Sequence, residues 1–320
     1  MKAWTYRRYG SPDVLRWADV ETPSPKDDEV VIRIRAAGIN AADWHMMRGE
    51  PKLVRLFSGL RRPRKRAIVG SDVAGVVESV GAGVTRLHPG DEVFAEVGAG
   101  GCAELVAVAE SSVALKPATA TLEQTAAVPM AGLTALQALR DHGRVQAGRH
   151  VLVNGASGGV GTFTVQLAKA FGAEVTAVCS ARNLEMVRSI GADHLVDYTR
   201  EDVTLGEPRF DVVVDIVGTH PLRHYRRVMT PGATYVMVGS VNNRFIRPIV
   251  YGKLLSLVSG RRFTSFVAKG NEEDLAYLAA RVDAGEVTPV IDRTYPMAEA
   301  PDAMRHLEGG HVAGKLVITA

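Results

Sequence analysis

The sequence predicts an α/β protein of two domains, a mostly β domain joined to a doubly wound parallel sheet. Three observations predict it. From Arg149 onward short apolar strands alternate with helical stretches, the order of a parallel sheet covered by helices on both faces. The stretch His150 to Gly161, HVLVNGASGGVG, runs strand, glycine turn, helix start, which is a dinucleotide-binding unit. Residues 1–122 instead form a run of short strands broken by glycine, proline and acidic residues, the pattern of a β-rich unit or barrel.

Taken in order, strands are predicted at 29–35, 71–80, 91–97 and 103–108, with breaks at 23–28, 81–83 and 89–91. Thr121 reads as a helix N-cap. The apolar stretch 126–139 contains Pro129 and Gly132, so two helices or a break are expected there. Strands follow at 150–154, 174–179, 194–197, 210–217 and 233–238, with a helix at 184–190 between two of them. A sixth strand is expected at 262–268 and a helix at 272–284. The tail from Val287 holds a strand, a helix near 298–307 and a final strand at 315–319. It is too short to fold alone, so it is expected to return to the first domain. The predicted bounds are 1–122 with 287–320 for the β-rich domain, and 123–286 for the parallel-sheet domain.

Composition narrows the functional classes. The chain has 320 residues, 46% hydrophobic and 23% charged, with a net charge of +3. That charge does not argue for a nucleic-acid partner. No apolar run approaches the roughly 18–20 residues that span a bilayer, and the start, MKAWTYRRYG, has no apolar signal core. A cytoplasmic protein without stable membrane insertion is expected. The two cysteines, Cys102 and Cys179, make neither a disulfide framework nor a four-cysteine zinc site. Arg61, Arg62, Arg64, Lys65 and Arg66 form a basic cluster around Pro63, read as a solvated loop or as a contact for an anionic partner. Residues 245–258 are apolar with interspersed cations. They read as a pocket-lining or interface insertion, or as a membrane-surface helix.

The glycine turn carries the chemistry. Gly158 and Gly161 lack a β-carbon, so backbone can approach a pyrophosphate and the helix can pack on the strand. The helix start offers free N–H groups to the anion. Residues Ser157, Gly158, Gly159, Val160 and Gly161 are therefore the candidate phosphate contacts, although Ala156 stands where the first glycine of the fingerprint belongs. An NAD-binding unit places an acid about 20 residues beyond the turn. Here the second strand ends Cys179-Ser180-Ala181-Arg182, with a hydroxyl and a guanidinium suited to a 2′-phosphate. NADP(H) is the predicted cofactor. The alternative is that Arg182 only begins the next helix and faces water.

These residues resemble those of the zinc-independent medium-chain dehydrogenases/reductases, in the quinone oxidoreductase branch. The likeness rests on Gly38-Ile-Asn-Ala-Ala-Asp43, Gly70-Ser-Asp-Val-Ala-Gly75, Val80-Gly-Ala-Gly-Val-Thr85 with Pro89-Gly-Asp-Glu-Val93, Val128-Pro-Met-Ala-Gly-Leu-Thr134, and the glycine turn. It implies a GroES-like catalytic domain, interrupted by a Rossmann cofactor domain, with the active site in the cleft. It implies homodimers, with edge pairing through 262–268. Asn40, Ser71 and Asp72 stand where zinc-dependent relatives place metal ligands, so no catalytic metal is expected. The resemblance places Asn40 and Thr134 near the nicotinamide and adds Tyr198 to Ser180 and Arg182 at the 2′-phosphate. It gives Val217, Val238, Gly239 and the Phe266 region to the nicotinamide end, and Lys315 to the cofactor phosphates. Tyr198 reads equally as strand-end packing, and Asn40 as a turn residue.

The chemistry implied is hydride transfer from NADPH to a small hydrophobic electrophile, a quinone or an α,β-unsaturated carbonyl. Asn40 is the candidate catalytic donor for the developing oxygen anion, and no acid/base pair is evident. The competing readings are an enoyl-thioester reductase and a non-catalytic NADPH-binding regulatory protein.

Overall fold

The computed structural model describes residues 1–63, 67–207, 209–239, 251–252, 255–257 and 259–320. The chain divides into two compact units, one of residues 1–131, 270–285 and 289–320, the other of 132–269 and 286–288.

The first unit begins with β1 (Lys2–Tyr6), β2 (Arg16–Asp19), β3 (Glu29–Ile39), β4 (Ala67–Ile68) and β5 (Asp72–Val80). It continues with β6 (Glu92–Glu96), β7 (Leu105–Ala109) and β8 (Val113–Leu115). Strands β9 to β14 belong to the second unit. They are His150–Asn154, Glu174–Cys179, His194–Asp197, Phe210–Asp215, Met229–Met237 and Arg262–Ser265. The tail supplies β15 (Ile291–Pro296) and β16 (Lys315–Thr319).

In the first unit β2, β1 and β4 form a small sheet. The larger sheet runs β15-β16-β3-β5-β6-β8, with β7 also on β3. Its centre is apolar on both faces, with Val30, Ile32, Ala37, Val73, Val93 and Leu316 at or below 1% exposure. The tail joins because Leu316, Val317 and Ile318 of β16 are apolar and buried and the strand pairs antiparallel with β3, from Leu316↔Ile39 to Thr319↔Ala36. Gly38 lets helix Leu122–Ala126 approach β3, since a β-carbon there would lie 2.3 Å from the Ala126 carbonyl oxygen. Thr121 caps that helix, and the expected break falls before Pro129, where helix Pro129–Gln137 starts.

The structure moves the domain bounds. The helix predicted at 272–284 spans Glu272–Asp283 and packs with the first unit, not the second. The reason is local: Asn271 caps it, Glu272 meets Arg86 at 3.7 Å, and Asp283 accepts from the N–H and hydroxyl of Thr119, both at 2.9 Å.

The second unit is one parallel sheet in the order β11-β10-β9-β12-β13-β14. Counted from β9 this is 3-2-1-4-5-6, with the strand order reversing between β9 and β12. The β9, β10 and β11 spans coincide with the predicted ones. The sixth strand is shorter than predicted, ending at Ser265. Residues 64–66 of the basic cluster and most of 245–258 lie outside the described residues. Among the described residues no helix is long and apolar enough to cross a membrane.

Candidate functional site

Two constellations stand out, one in each unit. The second unit gathers its candidate residues at the carboxyl ends of its strands, where open α/β sheets bind ligands. After β9, Gly155 takes φ +90°, and a β-carbon on it would lie 2.4 Å from Val217 Cγ2. Gly161, in helix Gly159–Ala170, faces the same turn: its β-carbon would lie 2.1 Å from the Gly155 oxygen. Gly158 is different. It caps the helix with φ −81° and ψ 175°, and a β-carbon there would meet only the Gly155 oxygen at 3.8 Å. The fold itself demands glycine at 155 and 161. At 158 the bare backbone serves approach from outside, beside half-buried Ser157, Gly159 and Val160 and the first helical turn, whose N–H groups lack intrahelical acceptors by geometry. This cradle fits a pyrophosphate.

One strand over, Ser180 follows β10 and opens the turn Ala181–Asn183, with Arg182 exposed on it. Tyr198 follows β11, its N–H donating to the Cys179 carbonyl at 3.2 Å. Its side chain is 62% exposed, so it is not strand-end packing. The sequence at the end of β10 carries no acid, but the sheet supplies one. Asp197 pairs in register with Cys179. Its carboxylate accepts from the Thr199 N–H at 3.0 Å and hydroxyl at 2.8 Å, and from the Ala181 N–H. The Thr199 hydroxyl and N–H hold its pKa below the ordinary value, and the carboxylate braces the turn that carries Arg182. The Cys179 thiol is pushed up to about 11 by burial and then by Asp197, so it is an inert core group.

At the switch point Asp215 is fully buried. It accepts from Asn154 Nδ2 and the Gly218 N–H at 2.8 Å each, from the Val217 N–H at 3.3 Å and from the Tyr235 hydroxyl at 2.7 Å. These bonds fix the turn holding Val217. Burial, followed by Asp215, raises the Tyr235 and Tyr225 pKa values. Val238 and Gly239 follow β13, and the Phe266 ring stacks on His142 at 4.2 Å. Thr134 is half-buried in helix Pro129–Gln137.

The first unit holds a buried polar centre made by β3, β5, β16 and helix Ala41–Arg48. Asn40 Nδ2 donates to Asp72 Oδ2 at 2.8 Å and Ser71 Oγ at 3.3 Å. The Lys315 ammonium donates to Asn40 Oδ1 and ion-pairs with Asp72 Oδ2 at 3.0 Å. The Met130 N–H takes Asp72 Oδ1 at 2.9 Å. The Ser71 hydroxyl donates to both Asp43 oxygens at 2.9 Å, and the Asn40 N–H donates to Asp43 Oδ2 at 2.8 Å. Asp72, Ser71, Lys315, Asp43 and Asn40 are all at least nine-tenths buried. This arrangement gives two of the expected cofactor contacts protein partners. Lys315 is buried and ion-paired with Asp72. Asn40 caps helix Ala41–Arg48 and gives both amide hydrogens to protein acceptors, so it positions its neighbours rather than offering a free donor. The Asp72 and Ser71 contributions were visible in the sequence only as altered metal positions.

The donor set does not fit Zn²⁺. An amide, a hydroxyl and two carboxylates surround an ammonium, with no imidazole or thiolate among them. The positive charge facing Asp72 is carried by Lys315. Burial, partly offset by the Asn40 N–H, raises the Asp43 pKa from 3.8 to about 7, with Asp72 adding to the rise. The folded chain therefore keeps a proton that the unfolded chain releases. Its stability contribution is full below about 3.8 and is lost as pH rises to about 7. Asp43→Asn, unable to titrate, is expected to gain on wild type by roughly 2–4 kcal/mol across that window. Urea denaturation between pH 4 and 7.5 measures the difference, and a pH-independent gap would refute the assignment.

Comparison with known proteins gives the family of both units. The family model described as an alcohol dehydrogenase GroES-like domain matches residues 26–138. The model described as a zinc-binding dehydrogenase matches 190–318. A 2-methylene-furan-3-one reductase of Solanum lycopersicum is 37% identical, over 99% of this chain and 79% of the relative. An NADPH-dependent alkenal/one oxidoreductase of Arabidopsis thaliana, a chloroplastic protein, is 34% identical over 99% and 79%. The structure of a quinone oxidoreductase from Coxiella burnetii superposes with a TM-score of 0.86 at 30% identity, covering 100% of this chain and 99% of that one.

Proposed function

This chain belongs to the medium-chain dehydrogenase/reductase family, in its quinone oxidoreductase branch, and we propose that it is an NADPH-dependent reductase of quinones or α,β-unsaturated carbonyls. The observation that carries the reading is the buried centre. Its donor set, an ammonium ion-paired to a carboxylate beside an amide and a hydroxyl, does not suit a metal that would polarise an alcohol or carbonyl, so on this reading the substrate brings its own activation. Conjugated acceptors do this. The relatives named as reductases of enones and quinones support the same chemistry.

Bound NADPH supplies a hydride from its nicotinamide ring. The chain's residues do the rest. The N–H groups around residues 157–161 hold the pyrophosphate. Ser180, Arg182 and Tyr198 hold the 2′-phosphate, and Asp197 keeps their turn in place. Thr134, Val217, Val238, Gly239 and the backbone near Phe266 orient the nicotinamide end. Asn40 and Lys315 hold the Asp72 carboxylate in the buried centre of the catalytic unit, and water supplies the proton that completes reduction. The chain is read as a cytoplasmic homodimer, with β14, at the edge of its sheet, as the strand for edge pairing.

The test is NADPH and NADH oxidation at 340 nm over quinones and enones, with Arg182→Ala alongside. Acceptor-dependent NADPH loss is expected, and the variant should bind NADPH about tenfold more weakly, the size of one exposed charge-assisted contact. Tight NADPH binding without turnover would favour a regulatory protein. Turnover confined to enoyl thioesters would favour the thioester reductase. NADH preference unchanged by the substitution would overturn the phosphate assignment.

A further inference from the structure

We propose that the cofactor-binding unit carries a metal site of its own, formed by Asp202, His220 and His224, for a borderline divalent cation such as Zn²⁺. One carboxylate oxygen and one nitrogen from each imidazole all lie within 4.8 Å of one another, and the three residues are half-buried. Local structure brings them together. His220 precedes Pro221, the N-cap of helix Leu222–Val228, and His224 lies in that helix. The two rings are 6.1 Å apart. Asp202 comes from the segment after β11, and its Oδ1 is 3.8 Å from His220 Nε2.

Three features separate this cluster from a chance gathering of surface charges. The carboxylate is oriented without the histidines, since Asp202 Oδ1 accepts from the Thr204 N–H at 2.8 Å and hydroxyl at 2.6 Å. Such outer partners are what hold a metal-binding carboxylate in place. Second, His224 Nδ1 is buried and has no hydrogen-bond partner among the described residues, a state that native structures rarely keep without a ligand or water. Third, two imidazoles and a carboxylate are a ligand set for Zn²⁺ that leaves a fourth position open. Ligand atoms around an ion at about 2.1 Å stand about 3.4 Å apart, so small side-chain rotations close the site. A second histidine–carboxylate cluster, around Glu174, lacks these features. There Glu174 lies between His150 and His194 in contacts of 2.5 and 2.6 Å, which consume the facing nitrogens, and all three side chains are well exposed.

The test uses the full chain, stripped with a chelator and titrated with Zn²⁺ by calorimetry and with Co²⁺ by visible absorption. One equivalent per chain is expected, with Co²⁺ bands of a low-coordinate nitrogen–oxygen site. His220→Gln and His224→Gln should each weaken Zn²⁺ at least tenfold, while His194→Gln leaves it unchanged. The wild-type Co²⁺ spectrum stands even where a variant folds poorly. Absence of micromolar binding by wild type, binding that survives either substitution, or loss of binding in His194→Gln would overturn the proposal.

Discussion

Lys315→Met is expected to destabilise the chain by about 3–5 kcal/mol, the usual cost of stranding one member of a buried ion pair. The Lys315 side chain is 3% exposed and that of Asp72 is 0% exposed. Asp72 would keep its bonds from Asn40 and the Met130 N–H but lose its counter-charge, with Asp43 close enough to repel it. A total stability of about 5–15 kcal/mol is ordinary for a domain, so the variant should be partly unfolded at moderate urea. The paired change Lys315→Met with Asp72→Asn removes both charges and should recover most of the loss. Urea denaturation of wild type, Lys315→Met, Asp72→Asn and the double variant gives the coupling directly. A single-variant loss below about 1 kcal/mol, the range of exposed pairs, would show that the centre is not held by this pair.

Gly161→Ala and Gly158→Ala are expected to separate folding from binding. At 161 the new methyl would lie 2.1 Å from the Gly155 oxygen and 2.7 Å from the Ala156 carbonyl. Backbone must shift, at a cost of about 1–3 kcal/mol, and the displaced turn loses its hold on NADPH. At 158 the backbone is already extended and the methyl meets nothing closer than 3.8 Å. Stability there should stay within about 0.5 kcal/mol, yet NADPH binding should weaken because the methyl occupies the pyrophosphate's path. Thermal denaturation and fluorescence titration with NADPH read the two effects. Wild-type NADPH affinity in Gly158→Ala would remove the phosphate cradle from the proposed site.

The parallel sheet was legible because its signals are local. Short apolar runs define β9, β10 and β11, and glycine at 158 and 161 is read from one turn. Local chemistry also marked Thr121 as a cap and Pro129 as a break. By itself the sequence determined the two fold types, the glycine turn and the hydroxyl–guanidinium pair after β10. The tertiary structure alone decided the buried centre. Lys315 meets Asn40 and Asp72 across separations of 275 and 243 residues, a contact made only when β16 docks on β3 and β3 on β5. No periodicity records that pairing, because β16 looks like any apolar strand with a lysine at its start. The same holds for Asp197, brought beside Cys179 by strand register, and for helix Glu272–Asp283, whose caps are local but whose partner is set by packing. Alternation and turn chemistry act over a few residues, whereas the burial that makes an ammonium, an amide and two carboxylates into one centre exists only once the sheet has assembled.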